Sequence, residues 1–425
     1  MTARALDREI SAVVRSGSCA GYGARCQLDA GVSMTLDAQG YARPVRRAGA
    51  PEPTADLDAH AAHRFRSVCP GVQVTAVRAP GALRHPTMGA ALDAWRAWAT
   101  DPEIRYSGSS GGVLTALAGW FADRGDFAQV VAAAPASADP RRTVSVRIQS
   151  RAEALAASGS RYGRASNAGA PTALDPRRAF VGKPCEGSAV RALATTGGQA
   201  APLIPSFLCA GTPSQWATDD LVRELRVAHD TRVTALRYRG EGWPGRFSVR
   251  AEDGTEVSTS YHESWGEHLG RTVQSPCKIC PDGVGESSDI GAADLWRTDD
   301  RGYPAFKESA GVSALLARTE RGLRVVEQAV RDGVIHVEPI DLADLAAVQP
   351  LQRRRRETVL GRTVAARLAG RRAPRYRGFH LLRLALGNPL TTLRTTRGTF
   401  SRVRTDSRKV GTQPEPSTPT QSPRG

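Results

Sequence analysis

Between residues 109 and 348 short apolar runs alternate with helix-start signals, and this alternation restricts the fold more than any other feature of the chain. Runs at 129–134, 143–148, 179–182 and 203–209 read as strands. Helical patterns at 113–122, 151–157, 187–193 and 215–227 fall between or after them. Thr212-Pro213-Ser214 is a helix-start signal. Residues 233–239 and 247–250 alternate as strands, and Asp253-Gly254 marks a hairpin turn. A strand at 312–317, a helix at 321–332, a strand at 334–337 and a helix at 342–348 complete the pattern. A further helix is expected at 88–99. With 42 Gly and 27 Pro as punctuation, the expected class is α/β (α+β mixed), a central mixed sheet flanked by helices.

At 425 residues the chain is long enough for two or three domains. Residues 1–80 read as a small loop-rich module holding Cys19, Cys26 and Cys69, short of long periodic stretches. The expected units are then 81–200, 201–350, a helical arginine-rich segment at 351–410 and a disordered Pro/Ser/Thr/Gln-rich tail at 411–425. The net charge of +16 is uneven. Residues 351–410 hold 17 Arg and Lys against two acids, a net +15, so the rest of the chain carries only +1. No nucleic-acid partner is expected of such a body. The start of the chain lacks an apolar leader pattern, and no apolar run approaches the ~18 residues of a spanning helix. A cytoplasmic location is therefore expected. In that reducing setting seven Cys point to metal, cluster or redox use rather than disulfides.

Two sequence features could carry redox chemistry. Cys277-Lys278-Ile279-Cys280 places two thiols within reach of one metal centre. Zinc, an iron–sulfur cluster and dithiol redox chemistry all remain open for such a pair. Cys185 and Cys209 follow two of the expected strands, and carboxyl ends of strands are where ligands collect. They could be further ligands or small buried hydrophobes. The other feature is Tyr106-Ser107-Gly108-Ser109-Ser110-Gly111-Gly112 before a helix, which lets backbone N–H groups approach a phosphate or a flavin edge, or is a plain capped turn. In Gly159-Ser160-Arg161-Tyr162 an Arg could grip a phosphate and a Tyr could stack on a ring, or the Tyr could simply anchor the loop. Tyr238–Gly245 is a turn rich in Gly and aromatics, for which core packing is the plain reading. His262 and His268 lie near Cys277 without a partner motif and read as structural or surface residues.

In this order, residues 107–115, 159–162, 180–186, 207–214, 238–245 and 277–294 resemble the coenzyme F420 hydrogenase/dehydrogenase beta subunit family, over about residues 10–375. Within it the resemblance is nearest to an actinobacterial branch encoded beside polysaccharide genes. The resemblance implies an oxidoreductase with FAD and at least one [4Fe–4S] cluster, and coenzyme F420 as a candidate substrate. It places Ser109, Ser110, Gly111, Gly112, Arg161, Tyr162 and Lys183 near the flavin. It makes Cys185, Cys209, Cys277 and Cys280 the cluster ligands, although Cys185 or Cys209 could line the flavin site instead. It also implies a ferredoxin-like N-terminal module. There the sequence departs from the family pattern, because Tyr22 and Arg25 stand where cysteines would follow Cys19. An N-terminal cluster is either lost or rebuilt with Cys26. An outside electron-transfer partner or F420 is expected, and an anionic membrane surface could dock on 351–410, where apolar residues and Arg interleave.

Overall fold

The computed structural model describes residues 4–125, 127, 129–228, 230–296 and 308–410, with side chains as far as residue 405. The tail expected at 411–425 lies outside the described residues. A five-stranded sheet forms the centre, in the order Pro205–Phe207, Ile290–Asp294, Ser313–Ala317, Asp93–Ala99 and Ile335–Pro339. The first pair is parallel and the other three are antiparallel, so the sheet is mixed as expected. A three-stranded sheet, Thr143–Ile148, Val130–Pro135 and Ala179–Phe180, stands beside it. Parallel bridges from Ala179 to Leu203 and from Gly182 to Ser206 join the two sheets. The meander Val233–Arg237, Arg246–Ala251 and Glu256–Ser260 forms a third sheet, turning at Asp253-Gly254 as the sequence suggests.

The segment at 88–99 is not a helix. Asp93–Ala99 is an inner strand, paired with Ser313–Ala317 on one side and Ile335–Pro339 on the other. Its Ala- and Trp-rich composition favours helix locally, but long-range pairing on both edges outweighs that preference. The division at residue 200 is not a structural boundary either, since the central sheet draws strands from both sides of it.

The N-terminal module is more helical than expected. Helix Ala5–Arg15 buries Leu6, Ile10 and Val13, a spacing that lines one helical face. Helix Ala55–Val68 starts on Thr54, whose side chain accepts from the Leu57 N–H, and buries Ala61, Ala62, Phe65 and Val68. These residues share one core with Phe180, Val190, Leu193 and Ile204. The module is thus packed into the body and not appended to it. At the other end, helices Pro350–Leu368, Leu381–Gly387 and Pro389–Val410 fulfil the helical expectation for the arginine-rich segment.

Candidate functional site

A cavity of about 430 Å³ opens where the two larger sheets meet, a size within the range of small-molecule and cofactor sites. The turn at 108–112 forms one wall. Gly112 has φ +72°, and a Cβ there would lie 2.7 Å from the Ile104 carbonyl oxygen. It begins helix Val113–Arg124 without a side-chain cap. The first N–H groups of that helix, at the cavity-lining Val113, Leu114 and Thr115, are therefore left for an anionic ligand.

The neighbouring side chains hold the turn in place. The Ser110 hydroxyl donates to the Val312 carbonyl at 2.8 Å. The Gly111 N–H donates to Ser313 Oγ at 3.0 Å. A Cβ on Gly111 would stand 2.4 Å from the Ala97 carbonyl oxygen, so this glycine serves close packing on the sheet and is not among the cavity-lining residues. Ser109 Oγ accepts from the Ser160 N–H, which ties the two expected cofactor loops together.

Arg161 lines the cavity, and its guanidinium donates to the carbonyls of Leu236, Pro140 and Arg142 and to Thr143 Oγ1. Burial lowers its pKa, and the side chain braces two strands rather than offering itself to a phosphate. Tyr162 packs its ring against Trp265 and Tyr238, at 4.6 and 5.4 Å between centroids. Lys183 precedes helix Pro184–Thr196 without a side-chain cap; its ammonium donates to Glu186 Oε1 at 2.9 Å and its N–H to Glu186 Oε2 at 2.9 Å. Burial disfavours the Lys183 charge, but Glu186, Cys185 and Cys209 outweigh it and raise the pKa.

The aromatic wall beside the turn was not legible as a site. Arg239, only 1% exposed, donates to the carbonyls of Ser109 and Pro244 and to both oxygens of Asp294. It lies over the rings of Tyr261 and Trp296 at 4.6 and 5.0 Å. It stands in the Gly- and aromatic-rich turn that reads from sequence as core packing.

Of the four expected thiol ligands, Cys209 is the one among the cavity-lining residues, just past strand Pro205–Phe207 at one end of the cavity. Cys185 sits in the first turn of the helix that follows strand Ala179–Phe180. The bridge between Gly182 and Ser206 sets these strand ends side by side. The Cys277 Cβ lies 3.3 Å from where a side chain on Gly211 would begin. Cys277 acts electrostatically on Cys185, Cys209 and Cys280. Burial pushes Cys185 well above its usual value, Cys209 up to about 11 and Cys280 up to about 12. All four are partly exposed.

A second unforeseen element braces this end. Arg355, in the arginine-rich helix Pro350–Leu368, donates to the carbonyls of Cys209, Ala210 and Cys277. Gln352 adds a bond to the Cys209 carbonyl at 3.1 Å. Arg362 donates to the Lys278 carbonyl at 2.6 Å. The basic segment is therefore partly a strap over the thiol loops. Among the described residues no three His, Cys, Asp or Glu side chains are gathered closely enough for a single metal ion. One zinc would want its sulfurs roughly 3.8 Å apart, given Zn–S bonds near 2.3 Å. A cluster spreads its ligands wider than one ion does, and Arg355 and Lys183 act on these thiols as positive charges. His268 pairs with Glu224 at 3.1 Å, the structural role expected of it.

An α/β chain whose cavity is lined by an uncapped helix start, aromatic rings and Cys209 has a site of the size a small molecule or cofactor takes. The family model for the N-terminal part of the coenzyme F420 hydrogenase/dehydrogenase beta subunit matches residues 94–170, and that for its C terminus matches residues 175–343. Together they span more than half of the chain, and the protein belongs to this family of oxidoreductases. A chain in the xenon-derivatised F420-reducing [NiFe] hydrogenase complex from Methanosarcina barkeri has the same fold. The match covers 66% of this chain and 96% of that one, at 21% identity and a TM-score of 0.50. No curated protein matches.

Proposed function

We propose that this chain is a flavin- and iron–sulfur-dependent oxidoreductase that exchanges hydride with coenzyme F420 or another low-potential donor. Supporting the reading is one cavity lined by both the turn at 108–112 and Cys209, with Cys277 acting electrostatically on Cys185, Cys209 and Cys280. The uncapped N–H groups at Val113–Thr115 would bind the FAD diphosphate. Gly112 keeps that approach open, and Tyr261, Trp265 and Trp296, which line the same cavity, exclude water from it. The four thiols would hold a [4Fe–4S] cluster, with Arg355 and Lys183 offsetting its negative charge. Bound flavin accepts a hydride and releases single electrons to a cluster, which is what joins a hydride donor to a one-electron partner.

Among the described residues no helix is long and apolar enough to cross a membrane. Peripheral docking from the cytoplasmic side has a specific support. Leu382, Leu386, Leu390 and Leu393 are each 65–81% exposed in succession along the last two helices. Arg383, Arg394 and Arg397 are exposed beside them, and residues 358–405 contain no acid. Such a face suits an anionic lipid surface.

The deciding experiment is anaerobic purification with flavin, iron and sulfide analysis, then stopped-flow reduction by F420H2, NADPH and reduced ferredoxin in parallel. Bound flavin with iron, reduced fastest by F420H2, is the expected result. Faster reduction by ferredoxin or NADPH would favour a reductase of a glycan- or lipid-linked substrate. A colourless protein with stoichiometric zinc would favour a non-catalytic, zinc-stabilised member and end the redox reading.

A further inference from the structure

Three cysteines fall within the first 70 residues, and the structure shows what surrounds them. The Arg25 guanidinium lies 3.3 Å from Cys19 Sγ and 4.0 Å from Cys69 Sγ. It is 2% exposed, and Cys19 and Cys69 are equally buried. The rings of Phe65 and Tyr22 flank it at 5.1 and 5.5 Å. The groups that act most strongly on its charge are Cys19, Tyr22 and Cys69, none of them a carboxylate. Cys26 does not join them. Burial raises the Cys26 pKa, and Arg25 and Arg47 offset that only in part.

A guanidinium cannot shed its proton in a protein. Burying it without an anion is among the most costly arrangements a core can contain. A thiol that gives its proton to solvent on folding becomes the missing anion, and Cys19 is the nearer of the two. Arg43 faces Cys19 from strand Ala42–Arg46 and donates to its carbonyl at 3.2 Å. Burial alone would raise the Cys19 pKa, but Arg25 and Arg43 outweigh it and bring it down, whereas burial leaves Cys69 raised.

We propose that a buried ion pair of the Cys19 thiolate and the Arg25 guanidinium, with Cys69 as its neutral neighbour, closes the N-terminal module and fills the space a metal cluster would need. The module is then a packing unit and not an electron relay. Electrons exchanged with an outside partner pass by way of the cavity at 108–112 and its thiols, not through residues 1–80. That last consequence rests on the redox reading, while the ion pair does not.

Two measurements on the full chain test the pair. Iron and sulfide contents after anaerobic reconstitution should be the same in wild type and in Cys69→Ser, whatever the wild-type value. A loss of iron in Cys69→Ser would overturn the proposal even if the redox reading stands. The ultraviolet thiolate band near pH 6, where an ordinary thiol at about 8.5 is protonated, should fall by one equivalent in Arg25→Met. It should survive in the conservative Arg25→Lys, which guards against a folding failure. A wild-type band unchanged by Arg25→Met would also overturn it. In the double substitution Tyr22→Cys with Arg25→Cys, which removes the guanidinium and supplies two thiols, about four more irons per chain are expected. No gain of iron would mean that the guanidinium is not what keeps a cluster out, and would overturn the space-filling half of the proposal.

Discussion

Arg239 grips Asp294 with both terminal guanidinium nitrogens, at 2.7 and 2.9 Å, while one of them also reaches the Ser109 carbonyl. The pair thereby fixes the turn at 108–112 to the end of strand Ile290–Asp294 and to the aromatic wall. Arg239→Met should lower stability by about 3 kcal/mol, the cost of breaking a buried ion pair from one side. Arg239→Lys should recover only part of it, because an ammonium cannot reproduce the fork. Thermal unfolding checks the first effect, and flavin retained per chain checks whether the turn has loosened.

The thiol assignment is tested by parallel substitutions. Cys277→Ser and Cys280→Ser should each remove most of the bound iron, and Cys185→Ser and Cys209→Ser should do the same. Cys26→Ser should leave iron unchanged. Iron retained after Cys185→Ser or Cys209→Ser would mean that the residue lines the flavin side of the cavity.

Arg355 joins the loop at 209–210 to Cys277 through three carbonyls. Arg355→Met should lower the reduction potential of the iron centre, since a nearby positive charge is lost, and should reduce its retention on dilution. Arg355→Lys should keep the potential close to wild type while still losing retention. Spectroelectrochemical titration separates the two effects.

Glu286 is buried and meets Arg84 at 2.7 Å and Arg356 in a shorter contact. Burial would raise its pKa, but Arg356, Arg84 and Arg318 outweigh it and hold the carboxyl below its ordinary 4.5. A carboxyl depressed on folding contributes stability above pH 4.5, and that contribution is lost as pH falls through the folded value. Glu286→Gln should therefore cost about 3 kcal/mol near neutral pH. The difference from wild type should shrink below pH 4. Urea unfolding across that range measures it, and a difference constant with pH would refute the charge argument.

The exposed leucines give a direct membrane test. Leu386→Ser with Leu390→Ser should reduce pelleting with anionic vesicles several-fold and leave the fold intact, because both side chains are largely exposed. Raised salt should weaken wild-type binding. Equal pelleting with neutral vesicles would mean that the arginines contribute nothing.

Much of the architecture was readable because it is locally encoded. The hairpin at Asp253-Gly254, the helix after Ser214 and the strand at Ser313–Ala317 follow from turn chemistry, capping and apolar runs. The segment at 88–99 was not, since an Ala- and Trp-rich stretch becomes a strand only when edges at Ser313–Ala317 and Ile335–Pro339 reach it. Arg161 shows the same limit within the site. Its residue type suits a phosphate, but nearby carbonyls claim its donors first.

The order of motifs along the chain settled the family, the mixed sheet and which cysteines to watch, because spacing and turn chemistry are properties of neighbouring residues. Only the tertiary structure decided that Arg239 clamps the turn at 108–112, that Arg355 straps the thiol loops, and that Arg25 lies between Cys19 and Cys69. Each of those arginines is a charge whose partner is either another distant segment or a carbonyl whose direction depends on the fold. Which anion or dipole it finds is settled by what burial forces together, and residue identity alone does not specify that.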